Sequence, residues 1–155
     1  MVDNENQPIV WKGPMIGNAV KQFYKDVIWG ELDYLLIDMP PGTGDVALTV
    51  MQQMPLKEMI IVSTPQDMVS MIVKKVVIMA EKVGIKVRGV VENMSYIICD
   101  GCQKKLRVFS SKSADEHAEY LGLPLIGELP IDTDFTAALE EGKAEDYVKD
   151  SPLYS

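Results

Sequence analysis

The sequence predicts an α/β fold, a mostly parallel sheet with helices on both faces. Three observations predict it. Short apolar runs without polar alternation recur at residues 32–38, 59–63 and 85–93, the pattern of strands covered on both sides. Stretches with apolar residues at three- and four-residue steps stand between them, and strand–helix–strand order at these lengths implies right-handed crossovers and parallel pairing. The chain has 155 residues, enough for one domain and too few for two of ordinary size.

Each element follows from its local pattern. After a polar start, Gly13-Pro14 opens a helix with Ala19, Val20, Phe23, Tyr24 and Val27 along one face, and Trp29-Gly30 ends it. The run at 32–38 reads as a strand, stopped by Pro40-Pro41-Gly42-Thr43-Gly44. A helix is predicted over about 45–54, then a strand over 59–63 closed by Thr64-Pro65. Asp67 is placed to cap the longest helix, about 68–83, with Val69, Ile72, Val73, Val76, Ala80 and Val83 inward and Met68, Met71 and Met79 widening that stripe, as core contacts first and a partner-binding face as the alternative. Gly84 ends it, and 85–93 is a Val-rich strand. A polar insertion runs to about 112. Residues 113–121 read as a helix, 124–129 as a strand and 133–141 as a helix, and the last dozen residues have no strong pattern.

Composition narrows the function. Fifteen Lys plus Arg against 23 Asp plus Glu give a formal charge of −8 and a pI near 4.6. Such a surface repels nucleic-acid phosphates and anionic lipid. The longest unbroken apolar run, 76–80, cannot span a bilayer. The opening residues are acidic where a secretory signal needs basic and then apolar ones. The chain reads as soluble and cytoplasmic, with no nucleic-acid or membrane partner. Two cysteines exclude a disulfide scaffold, and they lie three positions apart.

Ligands of parallel sheets sit beyond the carboxyl ends of the strands, and the unusual residues gather there: 38–45, 63–67, 93–102 and 130–132. Asp38 ends an apolar run and is costly there without a cation or donors. It either holds a magnesium ion, as such acids do in nucleotide triphosphatases, or caps the next helix through a Pro-Gly turn. The Gly-rich turn leaves N–H groups free to approach a phosphate. Cys99-Asp100-Gly101-Cys102 supplies two thiolates to one ion, half of a tetrahedral sulfur site. Gly101 can take the positive φ of a knuckle, and Lys104, Lys105 and Arg107 favour thiolate. Four sulfurs need a second copy of the chain, with the metal on a two-fold axis. Zinc and an iron–sulfur cluster both suit such ligands. A thioredoxin-like redox pair is the rival, but it should open a helix, and residues 104–110 alternate like a strand. The lone His117 sits in a polar helix and reads as solvated, so no Ser-His-Asp arrangement is expected. A phosphate cradle G-x-x-x-x-G-K-[ST] occurs nowhere in the sequence.

These motifs, taken together, resemble a known family. Gln7-Pro8-Ile9-Val10-Trp11-Lys12-Gly13-Pro14-Met15, Trp29-Gly30-Glu31-Leu32-Asp33-Tyr34, Asp38-Met39-Pro40-Pro41-Gly42-Thr43-Gly44-Asp45, Ser63-Thr64-Pro65-Gln66, Val91-Glu92-Asn93-Met94-Ser95-Tyr96 and Cys99-Asp100-Gly101-Cys102 are similar to the Mrp (ApbC-like) iron–sulfur cluster carrier ATPases. Those are relatives of MinD in the deviant P-loop group. The resemblance runs from about residue 7 to about 142. It implies a P-loop NTPase-like domain spanning 1–155, incomplete at its N-terminal side, with a cysteine hairpin inserted at about 94–112. By the same resemblance Asp38 is the Walker B acid on magnesium, Gly42 and Thr43 sense the γ-phosphate of ATP, Asn93 meets the adenine edge, and Pro130 and Asp132 flank base and ribose. Cys99 and Cys102, with their mates in a homodimer, would bind a bridging [4Fe–4S] cluster passed to apo iron–sulfur proteins, with ATP hydrolysis tied to that transfer.

The chain departs from the family at two places. The Walker A loop and its lysines are absent, so the chain looks like the carboxyl-terminal portion of a member and is not expected to turn over ATP alone. The Gly-rich stretch after the cysteines is replaced by Ser110-Ser111-Lys112-Ser113. Without the Walker A strand, Leu35 and Ile37 would face an open edge at a cost of about 3–6 kcal/mol. The polypeptide is therefore expected to need another copy or a separate chain supplying the missing half. The alternatives are a zinc-stapled, non-enzymatic dimerisation module or an inactive fragment, and nucleotide binding with lysines supplied in trans.

Overall fold

The computed structural model describes residues 13–154; the stretch from Gln7 to Lys12 that contributes to the resemblance lies outside them. The chain divides after Leu56 into two compact units. The first holds helices α1 (Gly13–Asp26) and α2 (Asp45–Gln53), close to the predicted helical spans. They approach closely where α1 carries Gly17: a Cβ there would stand 3.1 Å from the Thr49 hydroxyl. The face of α2 with Ala47, Val50 and Met51 is buried.

Between these helices the expectation fails. Residues 27–44 form no regular element, and the strand predicted over 32–38 is not there. Tyr34 and Leu36 are 85% and 90% exposed. A strand exists only as a member of a ladder, because each of its N–H and C=O groups needs a partner from a neighbour. Among the described residues no strand pairs with this run.

The second unit is an α/β layer with β1 (Glu58–Ser63), α3 (Asp67–Lys82), β2 (Lys86–Ile98), β3 (Lys105–Leu106), α4 (Ala114–Leu121), β4 (Leu125–Pro130), α5 (Thr133–Glu140) and α6 (Ala144–Asp150). β2 is central. β1 and β4 flank it in parallel, and β3 pairs antiparallel with its far end. Opposite Met59 and Ile60 the register skips Arg88. Next to it Gly89 lets the chain pass close to the start of β4, where a Cβ would meet the Pro124 carbonyl oxygen at 2.5 Å. Ile61, Val73, Val77, Val90, Ala118 and Leu121 form the core between sheet, α3 and α4.

On α3 the inward stripe is Ser70, Val73, Val77 and Ala80. Ile72, Met68 and Met71 lie outside it, 49%, 79% and 59% exposed, so the two methionines do not widen the core. Gln66, not Asp67, is the N-cap residue, and no side chain caps this helix; Asp67 pairs instead with Lys112 at 3.3 Å. Ser113 and Glu116 form a capping box on α4. The exposed helix α6 went unpredicted, having no buried residue to give it a periodic stripe. On β1, Ile60 and Val62 stay exposed. Among the described residues no helix is long and apolar enough to cross a membrane.

Candidate metal centre

β2 runs five residues past its predicted end at 93 because Ser95 and Tyr96 are buried like core residues. It projects the turn that carries the cysteines. The Cys99 N–H donates to the Lys104 carbonyl at 3.0 Å, and the Gln103 N–H donates to the Cys99 carbonyl at 2.8 Å. The turn's positive φ, 56°, falls on Gln103 and not on Gly101 as expected. Cys99 is half-buried and Cys102 exposed, both as free thiols.

The Cys99 thiol is held below its ordinary pKa by the N–H of Cys102, then the N–H of Gly101, then the Cys102 thiol, against opposing contributions from burial and Asp100. The thiolate is thus favoured by donors of the turn itself rather than by the expected cations; Lys105 and Arg107 have carboxylate partners of their own. Among the described residues no group of three or more His, Cys, Asp or Glu side chains could hold a metal ion. Two soft donors on an exposed tip fit a thiophilic metal or cluster whose remaining ligands come from a second molecule.

His117 corrects the sequence reading: it is buried, 6% exposed. Its Nδ1 meets Glu92 Oε2 at 2.6 Å and its Nε2 meets Ser110 Oγ at 3.3 Å. A Ser–His–Glu chain therefore exists where none was expected. Glu92 is itself 3% exposed and accepts the Ser95 hydroxyl on Oε1 at 2.7 Å. The same hydroxyl reaches Glu128 Oε2 at 2.9 Å, and Arg107 and Lys105 complete the cluster on Glu128. Partial burial would raise the Glu128 pKa, but the Lys105 ammonium and the Ser95 hydroxyl hold it lowered. Sequence reasoning gave Glu92, Ser95 and Glu128 no such role and gave Arg107 only that of favouring thiolate. The available signal was an acid inside each of two apolar strands, which demands buried partners.

The residues assigned to a nucleotide fall in both units. Asp38 and Thr43 are exposed and Gly42 half-buried with φ 86°, all in the irregular stretch. In the second unit, β2 and β4 bring Asn93 and Pro130 onto neighbouring strands. Asn93 Oδ1 accepts the Met94 N–H at 2.9 Å, and Pro130 is buried. Asp132 is engaged at both oxygens. Oδ1 caps α5 through the N–H groups of Asp134 and Phe135, at 3.0 and 3.1 Å. Oδ2 accepts the hydroxyls of Tyr147 and Tyr154 at 2.9 and 3.1 Å.

A family profile described as ParA, NUBPL iron-transfer P-loop NTPase, matches residues 1–153. An iron-sulfur cluster carrier protein of Clostridium perfringens is 66% identical over 155 residues, all of this chain and 54% of the relative. One from Methanocaldococcus jannaschii is 41% identical over 92% of this chain and 49% of its own length. The chain thus spans about half the length of these curated relatives. A solved nucleotide-binding protein from Archaeoglobus fulgidus, in complex with ADP, superposes with a TM-score of 0.77 at 42% identity, over 90% of this chain and 56% of that one. The cell division ATPase MinD of Pyrococcus furiosus shares the fold, with a TM-score of 0.62 at 19% identity, over 95% and 58%.

Proposed function

This chain belongs to the NUBPL iron-transfer P-loop NTPase family, and from that premise we propose that it carries a [4Fe–4S] cluster as cargo. The cluster is held between Cys99 and Cys102 of two copies and handed to apo iron–sulfur proteins in the cytoplasm. One observation carries the reading: the cysteines share one exposed turn whose own N–H groups favour the Cys99 thiolate. Such a turn offers two ligands and leaves two positions for a mate or a recipient, so the cargo is bound without being enclosed.

The nucleotide roles belong to the same proposal. The 155 residues form one incomplete nucleotide-binding domain. Asp38 would hold magnesium, Gly42 and Thr43 would meet the γ-phosphate, and Asn93 the adenine edge. Pro130 and Asp132 would border base and ribose, Asp132 by fixing the turn into α5, since its carboxylate is taken up within its own chain. No G-x-x-x-x-G-K-[ST] cradle occurs within these residues, so ATP turnover by them alone is not part of the proposal.

Anaerobic reconstitution with iron and sulfide tests the proposal. The expected product is a brown protein with about one cluster per two chains by native mass, lost when Cys99 or Cys102 is changed to Ser. Colourless protein that retains stoichiometric zinc and refuses iron would overturn it in favour of a zinc-stapled dimer.

A further inference from the structure

The cysteine turn stands on a slender base. β3 has two residues, and only Ile97 with Leu106 and Ile98 with Lys105 pair across the hairpin. A ladder that short holds no fixed geometry in water. Side chains supply what the ladder lacks. Arg107 lies one residue beyond β3 and is 27% exposed. Its Nη1 donates to Ser95 Oγ at 2.9 Å and stands 3.6 Å from Glu92 Oε1. Its Nη2 donates to Glu128 Oε2 at 3.1 Å. Lys105, on β3, donates to the other oxygen of Glu128 at 3.0 Å and stacks over the Tyr96 ring at 4.1 Å. The outgoing strand, the returning strand and β4 are thereby joined at one point. The planar guanidinium makes this possible, because its fork addresses two acceptors at once where an ammonium would serve as a single point charge.

We infer that Arg107, acting with Glu128, is a positioning residue for the metal-binding pair: it locks the base of the hairpin to β4 so that Cys99 and Cys102 are presented at a fixed place. The inference rests on the reading of these cysteines as metal ligands. The partners of Arg107, namely Ser95, Glu92 and Glu128, all lie outside the cysteine turn. It lowers the cost of ordering the hairpin when a second molecule docks on it.

Two measurements on the full chain test this, amide exchange in the metal-free protein and titration with Co(II), whose thiolate charge-transfer band reports both affinity and geometry. For Arg107→Gln, exchange at the Cys99 and Gln103 amides should quicken about tenfold while the amides of α3 stay unchanged. Co(II) binding should weaken about tenfold with an altered band. Arg107→Lys should recover part of both. Glu128→Gln should act in the same direction, and the double variant should be no worse than the poorer single one, since both remove one shared contact. Unchanged hairpin exchange together with unchanged Co(II) affinity would overturn the inference. Equal quickening of α3 would also overturn it, by assigning Arg107 to the stability of the whole unit. Wild-type protein that takes up no Co(II) would instead overturn the reading of the cysteines as ligands, with the exchange data still deciding whether Arg107 locks the hairpin.

Discussion

Two stretches of this chain look alike in sequence and end differently. Leu35-Leu36-Ile37-Asp38 and Val90-Val91-Glu92 are both apolar runs that close on an acid. The second lies between β1 and β4, and its Glu92 meets His117, Ser95 and Arg107. The first pairs with no strand among the described residues, and its Asp38 is exposed. The difference lies in the neighbours. An apolar run states that both faces want cover and both edges want hydrogen bonds, and the remainder of the fold decides whether these are met.

Amide exchange should show the contrast at its largest. Amides of residues 31–39 are expected to exchange about a thousandfold faster than those of Val90 and Val91, which open only with the core. Comparable protection in the two stretches would break the comparison, because it would mean that residues 32–38 are paired in solution, by a second copy or by another chain. A rise in their protection on adding a candidate partner that carries a phosphate cradle would sharpen it.

Substitution of the two acids should show the next largest effect. Glu92→Gln keeps the shape but replaces one of the two carboxylate oxygens, which face His117 Nδ1 and the Ser95 hydroxyl, with an amide N–H₂. Urea denaturation should record a loss of about 2–4 kcal/mol. Asp38→Asn, on an exposed residue, should change stability by less than about 0.5 kcal/mol. Equal costs would show that Asp38 is held by partners as Glu92 is.

This contrast also explains what the sequence could convey. The helices α1, α2 and α4 and the strands β1 and β4 were legible because each carries its own periodic stripe, cap or bounding turn. That the two cysteines share one turn was legible from their spacing alone. The strand at 32–38 was misread because pairing is a property of two segments, and no strand among the described residues pairs with this one. His117 was misread for the opposite reason: Asp115, Glu116 and Glu119 around it are polar, but its ring points at Glu92, 25 positions away. Long-range polar partners leave no local periodicity, so the pairing of Arg107 with Glu128 stayed hidden as well. Gly101 was credited with a turn conformation that Gln103 adopts, since either position closes a four-residue loop.

Asp132 offers a smaller effect than Glu92, because its partners are partly exposed. Burial alone would raise its pKa. The N–H of Phe135, the Tyr147 and Tyr154 hydroxyls and the N–H of Asp134 outweigh that and lower it. A lowered folded pKa means that the stabilisation is complete above the ordinary carboxylate value near 4 and fades as pH falls through the folded value. Asp132→Asn keeps an oxygen for the cap but loses the charged acceptor of the Tyr147 and Tyr154 hydroxyls, so it should cost about 1 kcal/mol at pH 7, and the gap from wild type should narrow as the pH falls below about 4. The tyrosine side titrates in the other direction. Burial and then the Asp132 hydrogen bond push Tyr154 up from 10.0 to about 12. Its contribution is complete below pH 10 and declines toward 12, so wild type should lose more stability across that window than Tyr154→Phe. Urea denaturation followed by circular dichroism at acid, neutral and alkaline pH reads both limbs. Equal acid limbs in wild type and Asp132→Asn would mean that Asp132 is free of α5 and the tyrosines, leaving its carboxylate open to a nucleotide.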